Sequence, residues 1–137
     1  MRRTALAAVF LSLATAAPLL GQAQSGHVYA IRYHQVHQGQ DAAYNAVYAE
    51  VVRPVHDELV KRGVLVSYLD LTQAGGAGRT THIFITEYAN WAALDGFPEK
   101  LDEASRAVHG KPFGEALGDL AKIRDYLRTE YYMSIVP

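Results

Sequence analysis

The sequence of 137 residues contains no cysteine. Disulfide bonds therefore cannot stabilise the protein, and burial of apolar surface has to hold its fold together. The serines Ser67, Ser105 and Ser134 stand in no recognisable nucleophile motif, so nothing points to a hydrolase. The stretch QAGGAGR at 73–79 lacks the Gly-Lys-Ser/Thr ending of a phosphate-binding loop, and we interpret it as a connection between two strands.

Residues 1–23 have the features of a secretory signal peptide. Arg2 and Arg3 precede an apolar stretch, which ends in small residues, the last of them Ala23. An uncleaved membrane anchor is the alternative, but a threonine and a proline interrupt the apolar stretch before the roughly 20 residues of a membrane span. No cysteine follows it, which excludes a lipoprotein anchor. We predict cleavage after Ala23 and export of residues 24–137, periplasmic or secreted and free of the membrane.

The predicted mature chain is mildly acidic. It keeps 11 basic and all 14 acidic residues, which gives a formal charge of −3. Because nucleic-acid binding depends on neutralising phosphates with basic side chains, the chain is a poor candidate for that function. Its 114 residues are enough for one domain with an apolar core and too few for two, so we predict a single domain.

Apolar periodicity predicts the order strand, helix, strand, strand, broken helix, strand. The strand patterns cover 27–36, 64–72, 80–88 and 124–136. Between 42 and 62, apolar residues recur at steps of three and four, as on one face of a helix. Pro54 should kink this helix and Gly63 should end it. Pro98 and Pro112 should begin the two pieces of the broken helix.

The order βαββαβ is the ferredoxin-like arrangement, an α+β fold. Right-handed crossovers place the strands in the order 4-1-3-2, fully antiparallel, with both helices on one face of the sheet. The other face then stays bare, although the strands are apolar on both sides: on the third strand Ile83 and Ile85 occupy one side and Phe84 and Tyr88 the other. A four-stranded face covers on the order of 350 Å², about as large an apolar patch as a monomer tolerates. Dimerisation would cover it.

Three segments carry a family resemblance: the strand VYAIRYHQVHQGQ, the helix YNAVYAEVVRPVHDELVKRG and the following VLVSYLDL. They resemble the dimeric α/β-barrel superfamily, especially its small exported members and the NIPSNAP-like and antibiotic-biosynthesis-monooxygenase-like branches. The resemblance covers nearly all of the predicted mature chain. It implies a homodimer whose two sheets face each other, with a cavity in each subunit between sheet and helices. Members include cofactor-free oxygenases, haem enzymes and stress proteins, so it does not select an activity.

The stretch 27–39 carries three histidines that cannot together form a metal site. His27 and His37 lie about 33 Å apart in an extended chain, since each residue adds about 3.3 Å. His34 points to the opposite face of the strand. We therefore predict no metal site and no cofactor from this stretch.

The predicted topology brings other polar residues together at one end of the sheet. His34 should approach His82 and Arg128, with Asp70 at the same end on the far strand. Such a group could bind an anionic ligand, hold a metal or move protons, and its members could equally be solvated strand ends. Arg32 in mid-strand should pair with a carboxylate, either Glu130 or Glu87, because an unpaired buried guanidinium is costly. The alternative is that Arg32 holds a substrate, which makes it a candidate ligand-binding residue.

Aromatic side chains give two further interpretations. Tyr44, Tyr48, Trp91 and Phe113 are either ordinary core residues or the lining of a pocket for an apolar or aromatic ligand.

Three hypotheses about the function of the protein remain. The favoured one is an exported barrel dimer that binds a small apolar or aromatic ligand or acts in a stress response. The alternatives are a cofactor-independent monooxygenase and a haem-binding protein, for which His56 or His109 would be the axial ligand.

Overall fold

Four antiparallel strands form the sheet in the computed structural model, which describes residues 26–135. The predicted signal peptide and its cleavage site lie outside the described residues. The strands are β1 (Val28–Val36), β2 (Ser67–Thr72), β3 (His82–Tyr88) and β4 (Arg124–Met133). Their spatial order is β2-β3-β1-β4, which is the predicted order, and every neighbouring pair is antiparallel. The α+β class and the ferredoxin-like arrangement are thereby confirmed.

The first helical segment contains a wide turn that the sequence did not predict. It runs through α1 (Asp41–Val47), a π-helical turn (Tyr48–Val52) and α2 (Arg53–Lys61). Pro54 lies in the first turn of α2, directly after the π turn, where the sequence predicted a kink. Proline has no backbone N–H to donate within a helix. The wider π turn lets the helical segment continue past Pro54 without that hydrogen bond. Gly63 follows the helix with a φ of 71°, as a residue that ends a helix should.

The second helical segment is broken, as predicted. A 3₁₀ turn (Trp91–Leu94) leads into α3 (Phe97–His109), and two short helices follow, α4 (Phe113–Ala116) and α5 (Leu120–Ile123). Pro98 stands in the first turn of α3. Pro112 immediately precedes α4 and lies outside it.

Strand β2 begins three residues later than its apolar pattern suggested. The backbone N–H groups of Val64 and Leu65 both donate to the carbonyl of Leu59, at 2.9 and 3.3 Å. These bonds complete the C-terminus of α2, so the two residues are not available for the sheet. Leu65 is instead buried in the core.

The helices cover one face of the sheet and form two apolar clusters with it. The larger one includes the fully buried Val28, Val55, Leu59 and Tyr88, and the smaller one consists of Val36, Tyr44 and Leu120. Each fully buried side chain of this kind stabilises the fold by about 1.5–3 kcal/mol. Within residues 26–135, no helix is long and apolar enough to cross a membrane.

The opposite face, which we call the open face, has no helix on it. Its central residue pairs are Leu69 with Ile85 and Ile85 with Ile31, in neighbouring strands. Leu69 is 50% exposed and Leu71 is 43% exposed, values that are high for leucine side chains in a sheet. The described chain therefore leaves an apolar sheet surface uncovered, as the sequence predicted.

Candidate functional site

A cavity of about 110 Å³ lies between the helices and the covered face of the sheet. Most of its wall is apolar, and Val52, Phe97, Leu101 and Phe113 contribute to it. A known apolar cavity of about 150 Å³ accepts benzene, so a cavity of this size suits a single aromatic ring. The polar side chains that line it are Arg32, His34, Tyr44, Tyr48, His56 and Arg124.

His34 and Arg124 form the shortest polar contact in the cavity wall. Nη1 of Arg124 donates to Nε2 of His34 at 2.6 Å, so this ring nitrogen carries no proton. Burial, followed by the charges of Arg124 and Arg32, lowers the pKa of His34 to about 3. His34 is therefore neutral at pH 7 with its proton on Nδ1. That N–H is buried and has no hydrogen-bond partner among the described residues.

A register shift in β4 decides which arginine reaches His34. Tyr33 pairs with Arg128, but His34 pairs with Tyr126, so one residue of β4 is skipped. Arg128 lies on the open face, where its guanidinium stands 3.8 Å from the centre of the Tyr33 ring. The predicted approach of Arg128 to His34 is therefore wrong, and Arg124 occupies that position.

Arg32 lies on the covered face and does not form the ion pair that the sequence suggested. Its Nη1 donates to Oγ1 of Thr86 at 2.9 Å. Glu87 and Glu130 pair in register with Tyr29 and Ile31, whose side chains point to the open face. The expected ion pair of Arg32 with either carboxylate is wrong, because alternation along β1 separates them. Within residues 26–135 neither Arg32 nor Arg124 forms an ion pair.

His56 in α2 contributes the second neutral imidazole of the cavity. Its Nδ1 donates to the carbonyl of Val52 at 2.8 Å, in the π turn, which leaves Nε2 as an acceptor. Burial lowers the pKa of His56 to about 4. The ring packs edge-on against Phe84 and Phe113, with centroids 4.8 and 5.9 Å away.

These contacts do not fit a haem. A porphyrin is several rings wide, whereas the cavity beside His56 suits about one ring and aromatic side chains pack around the imidazole. His109, the other candidate axial ligand, uses its Nε2 to donate to the carbonyl of Val51 at 3.2 Å. Among residues 26–135, no three histidine or acidic side chains converge as metal ligands would.

A shallower groove adjoins the cavity on the side of β2. Tyr48 lines both, while Asp70 and His82 line only the groove. Burial raises the pKa of Asp70 to about 6, and its Oδ1 is buried without a hydrogen-bond partner in the described chain. His82 pairs with His34 across β1 and β3, as predicted, and its ring lies 4.4 Å from the Tyr44 ring.

Trp91 lies outside both the cavity and the groove. Its ring packs 5.7 Å from that of Tyr131, its Nε1 donates to the sulfur of Met133 at 2.9 Å, and it is 44% exposed. The expectation that Trp91 lines the pocket is therefore wrong. Trp91 is the first residue of the 3₁₀ turn that Asn90 caps by accepting from the N–H of Ala93, and this turn places its ring beside β4.

The structure thus sorts the predicted ligand residues into three groups. Arg32, His34, Tyr44, Tyr48 and Phe113 line the cavity, Asp70 and His82 line the groove, and Trp91 and Arg128 lie elsewhere. Two polar residues of the cavity, His56 and Arg124, were missed as ligand contacts. His56 could have been found, because it follows Tyr48 and Val52 at steps of four on one helix face. Arg124 could not, because its position depends on the irregularity in β4.

No protein-family model matches the sequence, and no curated protein does. Solved structures match it in fold. HapK from Hahella chejuensis has a TM-score of 0.58 at 9% identity, covering 80% of this chain and 94% of that one. A dimeric ferredoxin-like protein from an uncultured marine organism has a TM-score of 0.56 at 11% identity, covering 82% and 98%.

A variant of SnoaB, a cofactor-independent oxygenase from Streptomyces nogalater, has a TM-score of 0.50 at 16% identity, with coverage of 82% and 96%. Identities this low show the fold alone. They confirm the resemblance in fold to the ferredoxin-like dimeric proteins, which include antibiotic-biosynthesis-monooxygenase-like domains. They do not determine an activity.

Proposed function

We propose that this protein is exported, forms a homodimer, and binds a small, largely apolar ligand with an aromatic ring between its sheet and helices. The observation that carries the proposal is the cavity of about 110 Å³, with its apolar wall and few polar groups. Ligand sites in proteins have this character, since apolar walls supply affinity and a few polar groups fix orientation.

Phenol is a suitable probe, because its ring matches the cavity volume. Isothermal titration calorimetry of the purified protein with phenol tests the proposal. Leu101→Phe should fill part of the cavity and weaken binding at least about tenfold. Val108→Phe is the matched control, since Val108 lies on the same helix and is 38% exposed. Equal binding by both variants would contradict the proposed location, and no binding by the unmodified protein would contradict the proposal itself.

The homodimer part of the proposal rests on the open face. Its leucines and isoleucines form a continuous apolar surface, and a second copy offers the same surface for a two-fold contact. A protein of the same fold is described as a dimeric ferredoxin-like protein. Sedimentation velocity over a range of protein concentrations measures the assembly directly, and a folded monomer at all concentrations would contradict it.

Export is supported by the sequence of residues 1–23. Expression of the full chain in a bacterium with a periplasm, followed by N-terminal sequencing of the protein in each fraction, tests it. We expect a periplasmic or secreted product that begins at Gln24. An intact N-terminus on protein in the cytoplasm would contradict export.

A cofactor-independent oxygenase is the second candidate, and two observations favour it. The fold is similar to that of SnoaB, and Nε2 of His56 is an acceptor that could hold the hydroxyl of a phenolic substrate by a hydrogen bond. In the balanced reaction, a quinol and O₂ give a hydroxyquinone and water, with one oxygen atom entering the ring. Oxygen uptake with quinols that falls in His56→Gln would support it, and no uptake above the rate without protein would reject it.

A further inference from the structure

The polar groups of the cavity are mostly hydrogen-bond donors. Arg32 and Arg124 bring two guanidinium groups, which can only donate, and the protonated ring nitrogen of His34 is a third donor. Nε2 of His56 is an acceptor, and the hydroxyls of Tyr44 and Tyr48 can do either. A neutral apolar ligand would offer these donors no acceptor, and the buried Nδ1–H of His34 would stay without a partner, which is costly.

The charged groups that line the cavity are both positive, just as most of its hydrogen-bonding groups are donors. Arg32 bonds the neutral Thr86 and Arg124 bonds the neutral His34. Among residues 26–135, no carboxylate forms an ion pair with either guanidinium. Both arginines are half-buried, and partly desolvating a charge that has no counter-charge is unfavourable.

Charged groups around the cavity do not remove this imbalance. Asp70 is the acid that acts on Arg124, and with a pKa of about 6 it is mostly ionised at pH 7, but it lines the neighbouring groove and is one carboxylate against two guanidinium groups. Arg53 adds another positive charge on that side, with its guanidinium 5.6 Å from the centre of the Tyr48 ring. Arg32 and Arg124 therefore lack a full set of counter-charges.

The unpartnered nitrogen of His34 is an independent indication that a group is missing. His34 is 3% exposed, and its Nδ1 lies within the protein with no acceptor in the described chain. Its proton cannot move to Nε2, because Arg124 donates there. A buried N–H with a fixed direction and no partner is rare in proteins and calls for an acceptor from outside the chain.

We infer that the ligand of this cavity is an organic anion, whose carboxylate, phenolate or enolate oxygen lies against Arg32, Arg124 and the Nδ1–H of His34. Its ring packs against the apolar wall formed by residues such as Leu101 and Phe113. This inference rests on the proposed ligand-binding function and specifies the chemical class of the ligand.

Benzoate and benzamide form a matched pair of probes, alike in shape and different in charge. Calorimetry should show that benzoate binds about tenfold to a hundredfold more tightly than benzamide, as charge-assisted hydrogen bonds would give. Arg124→Gln should remove most of that preference by weakening benzoate alone. Leu101→Ala is the control, because it removes apolar wall and should weaken both probes equally.

A second measurement needs no variant and so does not depend on one that folds. The phenolate form of 4-nitrophenol absorbs visible light and its phenol form does not. If the cavity prefers anions, the protein should lower the pKa of the bound probe by about one unit or more, which equals a tenfold preference for the phenolate. Arg32→Gln should reduce this shift.

The outcomes separate the inference from the function it rests on. Equal binding of benzoate and benzamide, or a raised pKa of bound 4-nitrophenol, overturns the anion inference and leaves the proposed cavity function intact. A preference for benzoate that persists in both Arg124→Gln and Arg32→Gln also overturns it. If none of the probes binds, the proposed function fails together with the inference.

Discussion

The two faces of the sheet hold their charged groups in opposite ways. On the open face, Glu130 accepts hydrogen bonds from Arg128, Tyr33 and Tyr132 at 2.7 to 2.8 Å, and these bonds lower its pKa to about 2. On the covered face, Arg32 and Arg124 bond only neutral partners among the described residues.

This difference indicates what each face is suited to contact. A carboxylate already surrounded by donors can enter a contact with another protein surface without losing its partners, and the apolar residues beside it gain from being covered. A guanidinium without a carboxylate instead needs an acceptor, which a small ligand brings. The open face therefore suits a second copy of the chain, and the covered face suits an anion.

The largest expected effect comes from placing a charge at the centre of the open face. Ile85 pairs with both Ile31 and Leu69. In a dimer that buries this face, Ile85→Lys introduces an unpaired charge that costs about 3–5 kcal/mol, which raises the dissociation constant at least about a hundredfold. Sedimentation velocity should show monomers of Ile85→Lys at concentrations where the unmodified protein is dimeric.

Val60→Lys is the control for that experiment. Val60 is 36% exposed on α2, away from the open face, so the same charge there should leave the dimer intact. If Ile85→Lys sediments as the unmodified protein does, the open face is not the dimer contact. The conclusion that this face suits a second copy of the chain would then be wrong.

The next largest effect compares two leucines on opposite faces. Leu59 is fully buried beneath the helices, and Leu69 is 50% exposed on the open face. Leu59→Ala should lower the free energy of unfolding by about 2–5 kcal/mol at every protein concentration. Leu69→Ala should cost less than about 1 kcal/mol in the monomer, because little of its surface is buried there, and more in the dimer.

Urea denaturation at low and high protein concentration separates the two leucines. The loss in free energy of unfolding that Leu69→Ala causes should increase with protein concentration, whereas the loss that Leu59→Ala causes should not. A cost for Leu69→Ala that is independent of concentration would mean that Leu69 is not covered by a second copy.

Much of the fold was predictable because local patterns and topology agree. Alternation in β1 assigned Ile31 and Tyr33 to one face and His34 to the other, and the order of the elements set the strand order. From these two facts the pairing of His34 with His82 followed correctly. Periodicity carries such information because it records which face of each element is buried.

The site was predictable only in part, because its decisive details are irregular. The skipped residue in β4 that brings Arg124 to His34 leaves no mark in the alternation pattern. The partner of Arg32 was misjudged because the search for a carboxylate ignored the face on which each candidate lies. Trp91 was misplaced because its position depends on a short capped turn.

A smaller effect concerns the pH dependence of stability. The unfolded chain binds a proton at His34 as the pH falls below about 6.5, whereas the folded protein resists protonation down to about pH 3. Stability from a neutral His34 is therefore fully present above pH 6.5 and is lost as the pH falls from there towards 3. The slope reaches about 1.4 kcal/mol per pH unit for one such group.

His34→Gln tests this dependence, since its amide oxygen can still accept from Arg124. Urea denaturation between pH 7 and pH 4 should show that the variant loses stability less steeply than the unmodified protein. His56, with a pKa lowered in the same direction, and Asp70, with a pKa raised, are present in both proteins, so their contributions cancel in the difference. Parallel curves would show that His34 titrates normally in the folded protein.

The smallest expected effect distinguishes two aromatic residues on the covered side. Phe113 lines the cavity, whereas Trp91, the only tryptophan, packs against Tyr131 outside it. Phe113→Leu should weaken phenol binding by about threefold to tenfold, since it removes ring contacts from the wall. Trp91→Phe should change it by less than about twofold, within the range of a distant surface substitution. Calorimetry of both variants measures this, and a larger effect for Trp91→Phe would place the ligand beside Tyr131, outside the cavity that Arg32 and Arg124 line.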